Sequence, residues 1–171
     1  DLERSLNRLS IIQWGGPVGQ RDHAAAKKIA PIFAQNLGLQ DPGQAWHTDR
    51  SAISELATTL SRLCNATGKI GEDISFMASL GDENLILNGG GKSSAMAHKN
   101  NPITAEALVT LGRLCASHTS GVLQSGIHEN FRSGQAWMME AALMPRILIS
   151  AGASTRLANE QMSNIVSVGR A

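Results

Sequence analysis

With 171 residues, 42% of them hydrophobic, the chain is long enough for one domain that buries about 70% of its unfolded surface. Aromatic residues make up only 4% and tyrosine is absent, so packing must rest on aliphatic side chains. A formal charge of +1, with lysines and arginines scattered, gives no electrostatic basis for nucleic-acid binding. No apolar run approaches the roughly 20 residues of a membrane span.

In chain order, Asp1-Leu2-Glu3-Arg4 reads as mid-helix, with neither an initiator methionine nor a signal peptide, so a longer parent protein is expected. A first helix is predicted from Leu2 to Gln13 and a second from His23 to Leu37, with Pro31 a potential break in the latter. Between them Gly15-Gly16-Pro17-Val18-Gly19 marks a turn. The strongest helical signal runs from Arg50 to Leu80, where Ile53, Leu56, Leu60, Leu63, Thr67, Ile70, Ile74 and Met77 alternate steps of three and four. Gly68 and Gly71 would each weaken an isolated helix by roughly 1 kcal/mol, so they demand a closely packed neighbour.

A helix after Pro102 should turn Leu108, Leu111, Leu114, Cys115 and Val122 inward. A last helix is expected from Gln135 to Val168 through Ala141, Met144, Leu148, Ala151, Thr155, Ala158, Met162 and Ile165, kinked near Pro145. No stretch sustains a period of two. The fold class is therefore all-α, a long-helix bundle with essentially no sheet. Cys64 and Cys115 stand far apart, without metal-ligand or redox spacing, and read as packed thiols.

The chemistry concentrates in residues 89–102. Gly89-Gly90-Gly91 predicts a mobile loop, and Ser93 and Ser94 supply adjacent hydroxyls. Asn101 is expected to cap a helix opened by Pro102, so that free N–H groups and the positive helix end lie beside the Lys99 ammonium. A carboxylate or phosphate would be held there. A nucleotide-binding P-loop is a poor fit, because its leading glycine would fall on Ile86.

The run Ser93-Ser94-Ala95-Met96-Ala97-His98-Lys99-Asn100-Asn101-Pro102 resembles the signature loop of the fumarase/aspartase superfamily, Gly-Ser-Ser-x-Met-Pro-x-Lys-x-Asn-Pro. Lys92 and Ala97 depart from it, in place of the usual glycine and proline. Gly15-Gly16-Pro17-Val18-Gly19 is similar to another element of that superfamily. His128-Glu129-Asn130, followed by Gly134, Trp137 and Glu140, resembles the His-Glu-Arg…Gly-x-x-Trp-x-x-Glu pattern of its 3-carboxy-cis,cis-muconate cycloisomerase branch, with Asn130 in place of arginine. Arg132 is the candidate to supply the charge that Asn130 lacks.

This resemblance implies proton transfer beside a carboxylate, with Ser93 as base and Ser94, Lys99 and Asn101 holding the substrate carboxylate. His98, His128 and Glu129 are further candidates. It implies no metal or organic cofactor, a small polycarboxylate substrate, no nucleic acid or membrane partner, and a cytoplasmic homotetramer whose sites draw on three subunits. Residues 1–171 would be the central helical-bundle portion, with the signature loop at 88–102 and the upstream domain absent. The expected activity is cycloisomerisation of 3-carboxy-cis,cis-muconate in aromatic catabolism. The alternatives are a lyase of the adenylosuccinate or argininosuccinate type, or a helical assembly module without catalysis.

Overall fold

A computed structural model of the chain describes residues 1–81, 83–92 and 100–169, the side chains at 92 and 100 excepted. In order, the elements are α1 (Leu2–Leu9), α2 (Ala24–Leu37), α3 (Ser51–Ser79), β1 (Leu85–Leu87), β2 (Gly91–Lys92), β3 (Asn100–Asn101), α4 (Ile103–Gln124), α5 (Gly134–Ser163) and β4 (Ile165–Val168). The fold is all-α in class, a long-helix bundle. Two compact units divide it: Asp1–Thr59 with Thr119–Met144, and Leu60–His118 with Pro145–Ala171. Among the described residues no helix is long and apolar enough to cross a membrane.

In the first unit α1 stops at Leu9, four residues short of the expected Gln13, because the chain then turns extended. Ile12 N–H donates to the Gln40 carbonyl (2.9 Å), and Gln40 N–H to that of Ser10 (2.9 Å). His23 caps α2, its Nδ1 accepting the Ala26 N–H at 3.2 Å. Pro31 does not break α2, which continues to Leu37. Gly38, at φ 66°, closes it: its N–H reaches the Ala34 and Gln35 carbonyls, and Leu39 N–H returns to Ala34 at 2.9 Å. Leu39 then packs with Trp14 against buried Ile12, Ala30 and Ala34.

In the second unit the glycines of α3 find the close neighbour they require. A Cβ on Gly71 would stand 2.4 Å from the Ala105 carbonyl oxygen of α4, and one on Gly68 would be 3.4 Å from that of Leu108. From the α4 side, a Cβ on Gly112 would be 3.0 Å from the Cys64 carbonyl. A buried hydroxyl pair, Thr67 with Ser154, joins α3 to α5. Both cysteines are buried.

The buried stripe departs from the one read off the large apolar residues. On α5 it runs through Ile147, Ala151, Ser154, Ala158 and Gln161, whereas Leu148 and Met162 are exposed. On α3 Cys64 is buried and Leu63 and Ile70 are exposed; on α4 Cys115 is buried and Leu114 exposed. On α3 and α4 the smaller neighbours face inward where the two helix backbones approach closely.

The expectation of no sheet is corrected by two short antiparallel pairs. β1 pairs with β4 (Leu85 with Val168, Ile86 with Ser167, Leu87 with Ile165), with an irregularity after Ile86, and β2 pairs with β3. Accordingly α5 ends at Ser163 rather than Val168, and Ile165 belongs to a strand. Its neighbourhood explains the choice: Leu85 is buried with Ile74 and Ala105, and Leu87 and Ile165 pack on that cluster. A side chain fully buried in this way contributes about 1.5–3 kcal/mol, and of the three strand residues Leu85 is buried to that degree.

Candidate functional site

In the second unit, the chain enters the signature segment from β1. Asn88 N–H donates to the Asn164 carbonyl at 2.7 Å, and the chain turns at Gly89 (φ 96°) and Gly90 (φ 129°), a conformation that glycine alone adopts without strain. Gly91 and Lys92 then pair with Asn101 and Asn100. Ser93, Ser94, His98 and Lys99 lie outside the described residues, as does Ala97.

Asn101 is half-buried in β3. It is not the cap residue: α4 begins at Ile103, and the Pro102 carbonyl accepts the first helical bond, from Glu106 N–H at 3.0 Å. Pairing with Gly91 keeps the Asn101 backbone extended, which moves the helix start one residue along. The Asn101 amide still stands two residues before the N-terminus of α4.

In the first unit, residues 125–133 join α4 to α5 and hold the second motif. His128 is half-buried, and its Nδ1 accepts the Ser133 N–H at 3.4 Å. The ring proton therefore sits on Nε2, a buried atom without a partner among the described residues. Ser133 in turn caps α5, its hydroxyl accepting the Ala136 N–H at 3.4 Å. Glu129 is exposed. Asn130 adopts φ 52°, the only described non-glycine residue in the left-handed region. Asparagine tolerates that conformation better than arginine, so the departure from the motif has a backbone cause. Arg132 stacks on the Trp137 ring, 4.1 Å from its centroid.

Glu140, the last residue of that motif, receives a bidentate ion pair that spacing alone did not reveal. Arg50 Nε and Nη2 donate to its two carboxylate oxygens at 2.8 and 2.6 Å, with both side chains largely buried. Arg50 also lies over Trp46, at 5.2 Å. Beside it Asp49 is held below the usual carboxylate range by the Ser51 hydroxyl and backbone N–H at the start of α3.

The Gly15–Gly19 segment is a turn: Gly19 N–H donates to the Gly16 carbonyl (2.8 Å), and Gly16 N–H to that of Gln20 (3.1 Å). Gly19 has φ 78°, and a Cβ there would come within 2.9 Å of His47 Cε1. Next to it Arg21 donates to Asp41 at 2.6 Å and stacks over Trp14. The Arg21 hydrogen bond, with help from Gly43 N–H, pulls the Asp41 carboxyl below its ordinary value. A cavity of about 390 Å³ opens beside this pair at the start of α2. Its charges cancel, Arg21 and Lys27 against Asp22 and Asp41, and Nε and Nη1 of Arg21, which have no partner among the described residues, are shut away from solvent. Among the described residues no three His, Cys, Asp or Glu are grouped to hold a metal ion.

Against known proteins, a family model described as lyase matches residues 2–115. The chain belongs to this family, the lyases of the fumarase/aspartase superfamily. It is 30% identical over 158 residues to 3-carboxy-cis,cis-muconate cycloisomerase of Bradyrhizobium diazoefficiens, covering 86% of this chain and 35% of the relative. It is 28% identical over 143 residues to nitrosuccinate lyase of Streptomyces davaonensis, covering 82% of this chain and 30% of that protein. The crystal structure of 3-carboxy-cis,cis-muconate lactonizing enzyme from Pseudomonas putida superposes with a TM-score of 0.86 at 27% identity, over 97% of this chain and 37% of that one. The chain thus spans about a third of the length of the curated relatives it matches.

Proposed function

We propose that the protein containing this chain is a cycloisomerase that closes 3-carboxy-cis,cis-muconate to a carboxymuconolactone. The observation that carries the reading is the 30% identity to a cycloisomerase of that substrate along most of the chain. The signature run 93–102 and the Trp137 and Glu140 of the branch motif lie within the chain.

The chemistry required is addition of a substrate carboxylate across the diene, with a proton placed on the carbon beside another carboxylate. Such a carbon acid is weak. An enzyme must therefore stabilise the enolate-like intermediate with fixed cations and donors while a base and acid move the proton. In this reading Ser93 exchanges the proton, and Ser94, Lys99 and Asn101 hold the carboxylate that gains charge. A serine works as a base only in a dry, cationic pocket, which the Lys99 ammonium and the start of α4 would supply. His98, His128 and Glu129 remain candidates for further contacts. No metal or organic cofactor is needed, and a cytoplasmic homotetramer with sites drawn from several subunits is the assembly proposed.

The test is ultraviolet-monitored turnover of 3-carboxy-cis,cis-muconate by the full-length protein, beside Ser93→Ala and an adenylosuccinate control. Loss of diene absorbance that falls about 10²–10⁴-fold in Ser93→Ala supports the reading. A folded full-length protein that leaves the diene intact refutes it. The second reading is an elimination on a related polycarboxylate, favoured by the similarity to nitrosuccinate lyase. Turnover of such a substrate with an inert muconate would establish it.

A further inference from the structure

We infer that Asn88 is a site of spontaneous self-modification, in which the Gly89 nitrogen attacks the Asn88 side chain and converts it to aspartate and isoaspartate. Of the ten asparagines, Asn88 is the only one followed by glycine. It is exposed, in the bend between β1, which ends at Leu87, and β2, which begins at Gly91. This chemistry is independent of the substrate proposed above.

The Gly89 N–H loses its proton to hydroxide, and the nitrogen bonds to Cγ of Asn88. The Cγ–Nδ2 bond breaks and ammonia leaves, taking a proton from solvent. The product is a succinimide ring, which water opens at either carbonyl. Addition at Cγ restores the main chain and leaves aspartate. Addition at the main-chain carbonyl leaves isoaspartate, whose chain continues through Cγ. In sum one water is gained and one ammonia lost, with no oxidant, reductant or cofactor.

The local structure favours each part of that step. A side chain on the following residue would crowd the attacking nitrogen, and Gly89 has none; nothing among the described residues lies within 4 Å of a Cβ added there. Helix and strand hold the backbone away from the geometry that closes the ring. Asn88 lies outside both, next to Gly89 and Gly90 at φ 96° and 129°, whose freedom eases the rearrangement. By contrast Asn7, Asn36, Asn65 and Asn159 are inside helices, and Asn101 precedes Pro102, whose nitrogen has no proton to lose. Position gives the reaction its importance. The Asn88 N–H is anchored on the Asn164 carbonyl at 2.7 Å, and Gly91 pairs with Asn101, so Asn88 is the root of the signature segment. Modification puts a carboxylate at that root, and isoaspartate also adds a carbon to the main chain.

The experiment holds the full-length protein in mildly alkaline buffer and follows the peptide containing residue 88 by mass spectrometry, with an unaged sample as the zero. The readouts are a mass gain equal to water minus ammonia, and uptake of labelled methyl from an isoaspartyl carboxyl methyltransferase. The folded protein should gain the mass at a rate within about tenfold of that in guanidinium, a barrier difference of about 1.4 kcal/mol. The rate should rise in proportion to hydroxide. Asn88→Gln, whose longer amide would have to close a larger ring, should lose both signals at that peptide. A folded wild type slower than that limit overturns the inference, as does an equal rate in Asn88→Gln. Mass gain without methyl uptake overturns it too, since direct hydrolysis of the amide gives aspartate alone.

Discussion

Arg50 and Glu140 form the best-built polar contact in the first unit, two parallel hydrogen bonds between side chains 9% and 16% exposed. Removing one partner strands the other charge in a site that water reaches poorly. Glu140→Ala is expected to cost about 3 kcal/mol, the lower end for broken buried pairs, read as a drop in the denaturation midpoint. Arg50→Lys should recover little of the pair, since an ammonium cannot reproduce the forked geometry or lie flat over Trp46. The pairing gives the glutamate of the branch motif a structural task. Its partner lies 90 positions away in sequence, beyond the reach of any local pattern.

Asp41 gives a pH-dependent counterpart. Its folded carboxyl titrates below the ordinary value of 3.8, chiefly through the Arg21 hydrogen bond. A depressed carboxyl adds stability that is fully present above the unfolded value and is lost as pH falls through the folded one. The stability difference between wild type and Asp41→Asn should therefore be flat near neutrality and shrink as pH drops below 3.8. Denaturation of both proteins across that range checks the sign, and a gap that widens in acid would contradict it.

Among the elements, α3 and α4 meet through missing side chains. In an exposed helix, Gly→Ala stabilises by about 1 kcal/mol. At Gly71 the sign should reverse, because the new methyl would meet backbone, the Ala105 carbonyl, at 2.4 Å. We expect Gly71→Ala to destabilise by at least about 2 kcal/mol, as overpacking against a fixed backbone does. Gly152 in α5 is the internal comparison, with nothing among the described residues within 4 Å of its added Cβ. Gly152→Ala should raise the melting temperature, and a fall would place a neighbouring copy against that face.

Periodicity predicted a seam of large residues on these helices and found the correct helices and most of the buried face. Leu60, Thr67 and Ile74 are buried as expected. Leu63 and Ile70 give way to Cys64 and Gly71, because close contact between backbones selects small residues, and small residues carry little hydrophobic signal. The strands were missed for a related reason. β1 and β4 are short, and each is paired with a segment about half the chain away. A sequence window that contains one cannot contain its partner.

At the scale of the molecule, the second unit carries exposed apolar residues on its long helices, Leu63, Ile70, Leu114, Leu148, Ile149 and Met162. On these helices Cys64, Gly71, Cys115 and Ala151 face inward while those large residues face out. That division fits helices with neighbours on both sides, one set from the same chain and one from other copies. The full-length protein is expected to sediment as a tetramer. Ile149→Asp, at a residue 71% exposed in the single chain, should lower that mass if its face meets another copy. An unchanged mass would remove this face from the assembly.

The sequence by itself determined the helical class, the family and the residues to test, because a period of 3.6 and a ten-residue signature are local properties that survive without their surroundings. Tertiary structure decided which stripe of each helix is buried, that β4 leaves the helix to pair with β1, that Asn101 sits in a strand next to Gly91, and that Glu140 is held by Arg50. The helix stripes, the β1–β4 pair and the Arg50–Glu140 pair depend on partners distant in sequence, and only the folded chain brings them together.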